Sequence, residues 1–283
     1  MSTSRKKILV FLVLTFGFSS VFYYLIISAG SLGAYSGYLM WCLGLAGILT
    51  QLIFQRNLRD MGWRPGPAKY LLWGFGLPLL YCAIVYGIVW LTGLGKFNTT
   101  ELVNTFAKQF HMEGQSPAKV LAIYGVLVVT YGIAMSAFRA FGEEIGWKGL
   151  LVPALAKETC SYTKTALISA AIWTIWHYPP LLFSDYNNAG APIWFGLICF
   201  TIMVFGINFV SVWLRLKTGS IWPAMLLHSS HNLFVQTVFT PLTSDTGITA
   251  YVIDEFGVGL AIAFVVLGFV FWRKRSELSQ YRR

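Results

Sequence analysis

Eight stretches of roughly twenty mostly apolar residues follow one another along this chain, at about 8–29, 34–54, 70–93, 120–141, 165–184, 193–214, 221–242 and 256–272. About twenty apolar residues is the length of a helix that crosses a bilayer, and a chain segment in that medium must satisfy its own backbone hydrogen bonds. The sequence therefore predicts an all-α polytopic membrane protein. Residues 1–283 form a single transmembrane domain on this reading, with about eight transmembrane helices enclosing an intramembrane cavity. Composition closes off the soluble alternative: 11% of the residues are charged and 56% hydrophobic, whereas a soluble domain carries about a quarter charged residues. The first apolar run, Ile8 to about Ser28, exceeds the roughly 7–15 residues of a signal-peptide core and is expected to stay as a span.

The net charge is +10, and its placement explains it. Arg5, Lys6 and Lys7 precede the first run, Arg56, Arg59, Arg64 and Lys69 lie between the second and third, Lys157 and Lys164 between the fourth and fifth, Arg215 and Lys217 between the sixth and seventh, and Arg273, Lys274, Arg275, Arg282 and Arg283 follow the last. The alternate connections hold only Lys96, Lys108 and Lys119, with Asp185, Asp245, Asp254 and Glu255. Basic connections stay in the cytoplasm, so both termini are expected there. Membrane lipids are the natural partner of the basic excess, and nucleic acid is not needed to explain it. Cys42, Cys82, Cys160 and Cys199 are too scattered for a disulfide framework or a CxxC pair and read as small packing residues. The hydrophilic stretch Phe97–Ser116 is expected to form a short helix at the outer surface.

Ionisable residues inside spans are costly and mark function by default. Three clusters stand out. In Phe141-Gly142-Glu143-Glu144-Ile145-Gly146-Trp147-Lys148 the two carboxylates point about 100° apart on a helix, and Glu144 faces Lys148 at i,i+4. Glu143 is left free to point elsewhere. Trp173 and His177 share one face of the fifth run, just before Pro179 and Pro180. His228 and Asn232 project together from the seventh, with His231 beside them in a packing role.

Depth ties the clusters together. At about 1.5 Å per residue, His177 lies about 20 Å from Lys164, His228 about 16 Å from Lys217, and Glu143 about 21 Å from Lys157 if its helix runs that far. The three are expected to meet inside the bilayer, in a water-accessible cavity open to the cytoplasm. A helix from Lys119 to Lys157 would be about 58 Å long, so it must kink, tilt or project, with Gly142, Gly146, Gly149 and Pro153 as places to bend. A buried Glu can act as a general base on water. A neutral His can hold that water, and His or Asn can donate to an oxyanion. Together they suffice for amide hydrolysis without a metal. Zinc held by His177, His228 and Glu143 is the competing use, although no HExxH or GxSxG sequence is present.

The order Glu-Glu-x-x-x-Arg, aromatic-x-x-x-His, His-x-x-x-Asn resembles the signature of the CAAX prenyl protease and bacteriocin-processing superfamily of intramembrane endopeptidases. Here it reads Glu143-Glu144-Ile145-Gly146-Trp147-Lys148, Trp173 to His177 and His228 to Asn232. The flanking Trp-His-Tyr-Pro-Pro and Met61-Gly62-Trp63-Arg64-Pro65 look like prokaryotic members, and about 120–240 carries the resemblance. It implies a glutamate-dependent protease of the prokaryotic plasma membrane. Glu143 and His177 would activate water, His228 and Asn232 would form the oxyanion hole, and Glu144 would support Glu143. The substrate would be a peptide or protein, with a lipidated C-terminus as one form. Lys148 departs from the pattern, because it keeps the charge but loses the planar fork of Arg. Two alternatives compete: a non-catalytic family member acting as a membrane partner or immunity factor, and a proton-coupled transporter.

Overall fold

A computed structural model describes residues 1–187 and 190–278; Arg282 and Arg283, used above for orientation, lie outside them. The expected runs are helices: α1 (Thr3–Ala29), α2 (Ser36–Gln55), α3 (Ala68–Thr92), the short α4 (Thr100–Gln109), α5 (Pro117–Thr159), α6 (Tyr162–Phe183), α7 (Ile193–Thr218), α8 (Trp222–Asn232) and α9 (Val258–Arg273). A π-helical segment, Leu233–Phe239, carries α8 onward. One two-residue ladder, β1 (Lys96–Phe97) antiparallel to β2 (Thr243–Ser244), is the sheet among the described residues.

Six of these helices, α1, α2, α3, α5, α6 and α7, are long and apolar enough to cross a membrane. The helices at the remaining two expected spans are shorter, because α8 has 11 residues before it turns π-helical and α9 has 16. Leu72, Leu91, Tyr131 and Ile262 are among many large apolar side chains left exposed on the outside of the bundle, as lipid-facing surface requires. The chain is an integral membrane protein with an all-α polytopic fold. The hydrophilic stretch does form its short helix: α4 packs Val103, Phe106 and Ala107 on Val120 of α5.

The ends of the bundle can be told apart by their contacts. At one end Arg5 pairs with Glu158, Lys217 with Glu277, and the Trp213 indole donates to the Lys274 carbonyl. The first residues of the chain and the last described ones sit there. At the far end Leu32 N–H donates to Asp185 and Asn98 N–H to the Leu242 carbonyl.

The 43-residue α5 is continuous. It runs through two π-helical segments, Val128–Gly132 and Ile145–Leu151, the second of which spans Gly146 and Gly149. The glycines also serve packing. A Cβ on Gly146 would lie 2.7 Å from the Leu43 carbonyl oxygen, and one on Gly44 would lie 2.8 Å from that of Gly142. Small residues on both helices let α2 and α5 touch backbone to backbone, against the carboxylate-bearing turn.

Candidate active site

The second π segment begins directly after Glu144. In it the Trp147 carbonyl accepts from Val152, five residues on. By that register the Lys148 carbonyl would be served by residue 153, which is proline and has no N–H. Buried carbonyls need a donor, and Arg215 of α7 supplies one, its Nε donating to the Lys148 oxygen at 2.6 Å. The local irregularity is thereby tied to a neighbouring helix.

The charged side chains of this turn are inside the protein: Glu143, Glu144 and Lys148 are each 1% exposed. Glu144 makes the expected contact, with its Oε2 3.6 Å from Lys148 Nζ. Its Oε1 takes His228 Nδ1 at 3.0 Å. Lys148 also donates to Asn208 Oδ1 at 3.3 Å and lies 5.0 Å over the Trp173 ring. Glu143 points the other way, and its Oε2 accepts the indole N–H groups of Trp147 at 3.2 Å and Trp173 at 3.0 Å. Among the described residues no donor reaches its Oε1.

Trp173 is the hub. Besides holding Glu143, its ring lies 5.4 Å from His228 and 6.0 Å from His177. His177 Nδ1 is 3.0 Å from the Trp173 carbonyl. A carbonyl only accepts, so Nδ1 carries the proton and Nε2 of the neutral ring is an acceptor. His177 is thus set to take a proton from water. On the same argument Glu144 fixes a proton on His228 Nδ1, and His228 can donate from Nε2 only as an imidazolium. The tail of α6 is held in place despite its prolines. Pro180 leaves the Trp176 carbonyl without its helical donor, and Tyr23 of α1 fills the place at 2.6 Å.

Glu143, His177, His228 and Asn232 line one cavity of about 330 Å³. Glu144 stands behind it on His228. Exposed residues form part of the cavity lining. Its exposed lining residues, Tyr131, Arg139 and Gln236, lead toward the far end, where Leu32 and Ser36 join the lining. On the terminal-bearing side, Trp63 and Trp222 pack around Phe141, with ring separations of 6.2 and 5.3 Å. The connection carrying Met61-Gly62-Trp63 folds inward there, so that the Gly62 carbonyl accepts from Ile221 N–H.

Among the described residues no three His, Cys, Asp or Glu side chains form a group that could hold a metal ion. His228 and His177 each spend Nδ1 on a protein acceptor, which leaves Nε2 of both rings as the nitrogen open to a ligand.

The bonding partners of several polar residues were not legible in the sequence. His231 is bonded on both sides, to Tyr81 OH at 2.6 Å and to Glu255 Oε1 at 3.2 Å. Glu255 also accepts from Tyr186 OH and Gln236 Nε2, each at 2.9 Å. This fully bonded group lies on the cavity wall and fixes α8 against α3 and the segment before α9. Glu255 could have been weighed as an acid directly before an apolar run, and Asn208 as a lone amide within one.

These features define a class: a membrane-embedded protein whose buried carboxylate, imidazoles and carboxamide share one cavity. Residues 125–234 match the family model described as type II CAAX prenyl endopeptidase Rce1-like. That stretch is an Rce1-like domain, of the superfamily the motifs resemble, and it contains Glu143, Glu144, His177, His228 and Asn232. No curated protein matches the chain.

Proposed function

We propose that this protein is an intramembrane endopeptidase that hydrolyses a peptide bond with a water activated by Glu143 and His177. The observation that carries the reading is the free Oε1 of Glu143 in a cavity shared with an imidazole whose Nε2 is an acceptor. Glu143 and His177 take the water's proton as it attacks the scissile carbonyl. The developing oxyanion is met by the Asn232 amide and by His228, which Glu144 favours as an imidazolium. No metal takes part in this scheme. The family description makes a C-terminally lipidated protein or peptide the first substrate class to try.

The membrane orientation follows from the basic connections, which place both termini in the cytoplasm. The cavity then opens toward the outer half of the membrane of a prokaryotic cell, which suits exported or membrane-anchored substrates. A reporter fused after the last residue would read as cytoplasmic, and an external signal there would overturn the orientation.

The deciding experiment is cleavage of a membrane-presented peptide library by the purified protein and by its Glu143→Gln variant. Cleavage lost with Glu143→Gln supports the reading. Equal cleavage by both assigns the chemistry elsewhere, and uptake without cleavage favours the transporter.

A further inference from the structure

Away from the cavity, α7 and α9 run side by side toward the terminal-bearing end, where Trp213 meets Lys274 and Lys217 meets Glu277. Between them, on the outside of the bundle, lies an open apolar groove of about 480 Å³. It reaches from Thr201 to Phe209 on α7 and from Phe264 to Trp272 on α9, about 12 Å along each helix. Two glycines make its floor. A Cβ on Gly206 would run into the Phe264 carbonyl oxygen, and one on Gly268 would lie 3.2 Å from Gly206 Cα. The helices therefore touch through backbone, and Phe205, Phe209, Val265 and Phe269 stand as walls on either side. The apolar core of a bilayer is about 30 Å thick, so the groove covers most of one leaflet, the one on the terminal-bearing side.

Charge is found at one end of the groove only. Trp272 closes it there, and the Arg275 guanidinium lies 3.7 Å from the centre of the Trp272 ring, with Nη1 donating to the Trp272 carbonyl at 2.8 Å. Arg273 is exposed beside it. The chain from Val258 onward holds one acid, Glu277, and Lys217 and Lys274 both pair with it. Among the described residues Arg273 and Arg275 have no ion pair.

We infer that the groove between α7 and α9 binds an acyl chain of an anionic phospholipid, whose phosphate rests against Arg275. A hydrocarbon trough that ends in a cation at the membrane surface matches a molecule with an apolar chain and a negative head. A zwitterionic head would bring a second cation to a place whose carboxylate is already taken. Bound lipid holds α7 against α9 and stabilises the folded state by mass action. Occupancy needs no proteolysis, so it can be measured whether or not the protein cleaves a peptide.

The test is lipid retention by the purified protein in detergent, read by native mass spectrometry with phosphatidylglycerol and phosphatidylcholine of identical acyl chains competing. Wild type is expected to prefer phosphatidylglycerol about tenfold, the worth of one to two basic side chains at a lipid surface. Arg275→Gln should lower that preference about fivefold. Arg59→Gln, which removes an exposed cation from the connection between α2 and α3, should leave it unchanged. Val265 is 56% exposed, so Val265→Phe fills the groove from outside; it should lower phosphatidylglycerol retention at least about tenfold. The same lipid should raise the melting temperature of wild type and not that of Val265→Phe. Equal retention of the two lipids by wild type overturns the proposal, as does an unchanged preference in Arg275→Gln. An equal loss in Arg59→Gln overturns it too, by assigning the preference to surface charge at large. Displacement of the lipid by glycerol phosphate would leave a phosphate site without a groove, and a dimer that Val265→Phe dissolves would give the groove to a second copy of the chain. Either result sinks the lipid site.

Discussion

Glu144 Oε1 and His228 Nδ1 are joined at 3.0 Å, across 84 positions of sequence. The other oxygen of the same carboxylate faces Lys148 at 3.6 Å. Glu144 is thus committed on both sides, whereas its neighbour Glu143 keeps an oxygen for the cavity.

This division predicts different failures for adjacent substitutions. Glu143→Gln keeps an acceptor for the Trp147 and Trp173 indoles, so thermal stability in detergent should be retained while activity falls by at least about 10². Glu144→Gln leaves Lys148 buried without a counter-charge, a change that costs about 3–5 kcal/mol in comparable buried pairs. A melting curve on each variant checks the contrast. Equal destabilisation would mean that the two carboxylates are not divided in this way.

Lys148 offers a companion experiment. Lys148→Arg should fold, since a guanidinium fork can serve Glu144 and Asn208 together. Lys148→Glu places a second carboxylate against Glu144 and should prevent the protein from reaching its folded state. Comparable yields of folded protein from both would remove the ion pair from the account.

Asn232 lines the cavity and, among the described residues, its side chain has no hydrogen-bond partner, as a donor reserved for an intermediate would. Asn232→Ala should lower kcat by about 10²–10³ with little change in KM. A rise in KM at constant kcat would assign the amide to ground-state binding instead.

One pH dependence follows from the connection before α9. Burial, together with the neighbouring Glu255 charge, pushes the Asp254 carboxyl up to about 6. The folded protein therefore holds a proton between about pH 4 and 6 that the unfolded chain has released, so this group's contribution to stability falls as pH rises through that window. Asp254→Asn keeps the acceptor for Glu255 N–H, which Asp254 Oδ1 meets at 2.6 Å, and tolerates the left-handed backbone found there, φ 65°. The variant should lose this part of the pH dependence, measured as melting temperature against pH.

The parts of the site that sequence reveals are those governed by helix periodicity. Glu144 meets Lys148, Trp173 meets His177, and His228 lies on the same wall as Asn232, because i,i+4 positions share a face wherever the helix goes. What periodicity does not carry is contact between distant segments. Nothing local tells that Trp173 would hold Glu143, that Glu255 would fix His231, or that Trp63 and Trp222 would cover the terminal-bearing side of the site. Depth along a helix was legible, but the inward fold of the Met61–Trp63 connection was not. The glycines of α5 are ambiguous in a related way. Their lack of a side chain reads equally as a bend or as a close approach, and the deciding partner, α2, lies a hundred residues away.

The π-helical segment after Glu144 also makes this site sensitive to the length of the chain. A π turn accommodates one more residue than the α register would, and removing a residue from an α-helix rotates everything beyond it by about 100°. Deleting one residue within Ile145–Leu151 would let α5 heal into an ordinary helix with almost its whole composition intact. The faces on either side would stay nearly aligned, but the gap at the Lys148 carbonyl that Arg215 fills would close with the π turn. Single-residue insertions and deletions are ordinarily harmful in a transmembrane helix wherever they fall. Here one position of the reading frame separates a helix that carries a site from a helix that merely crosses.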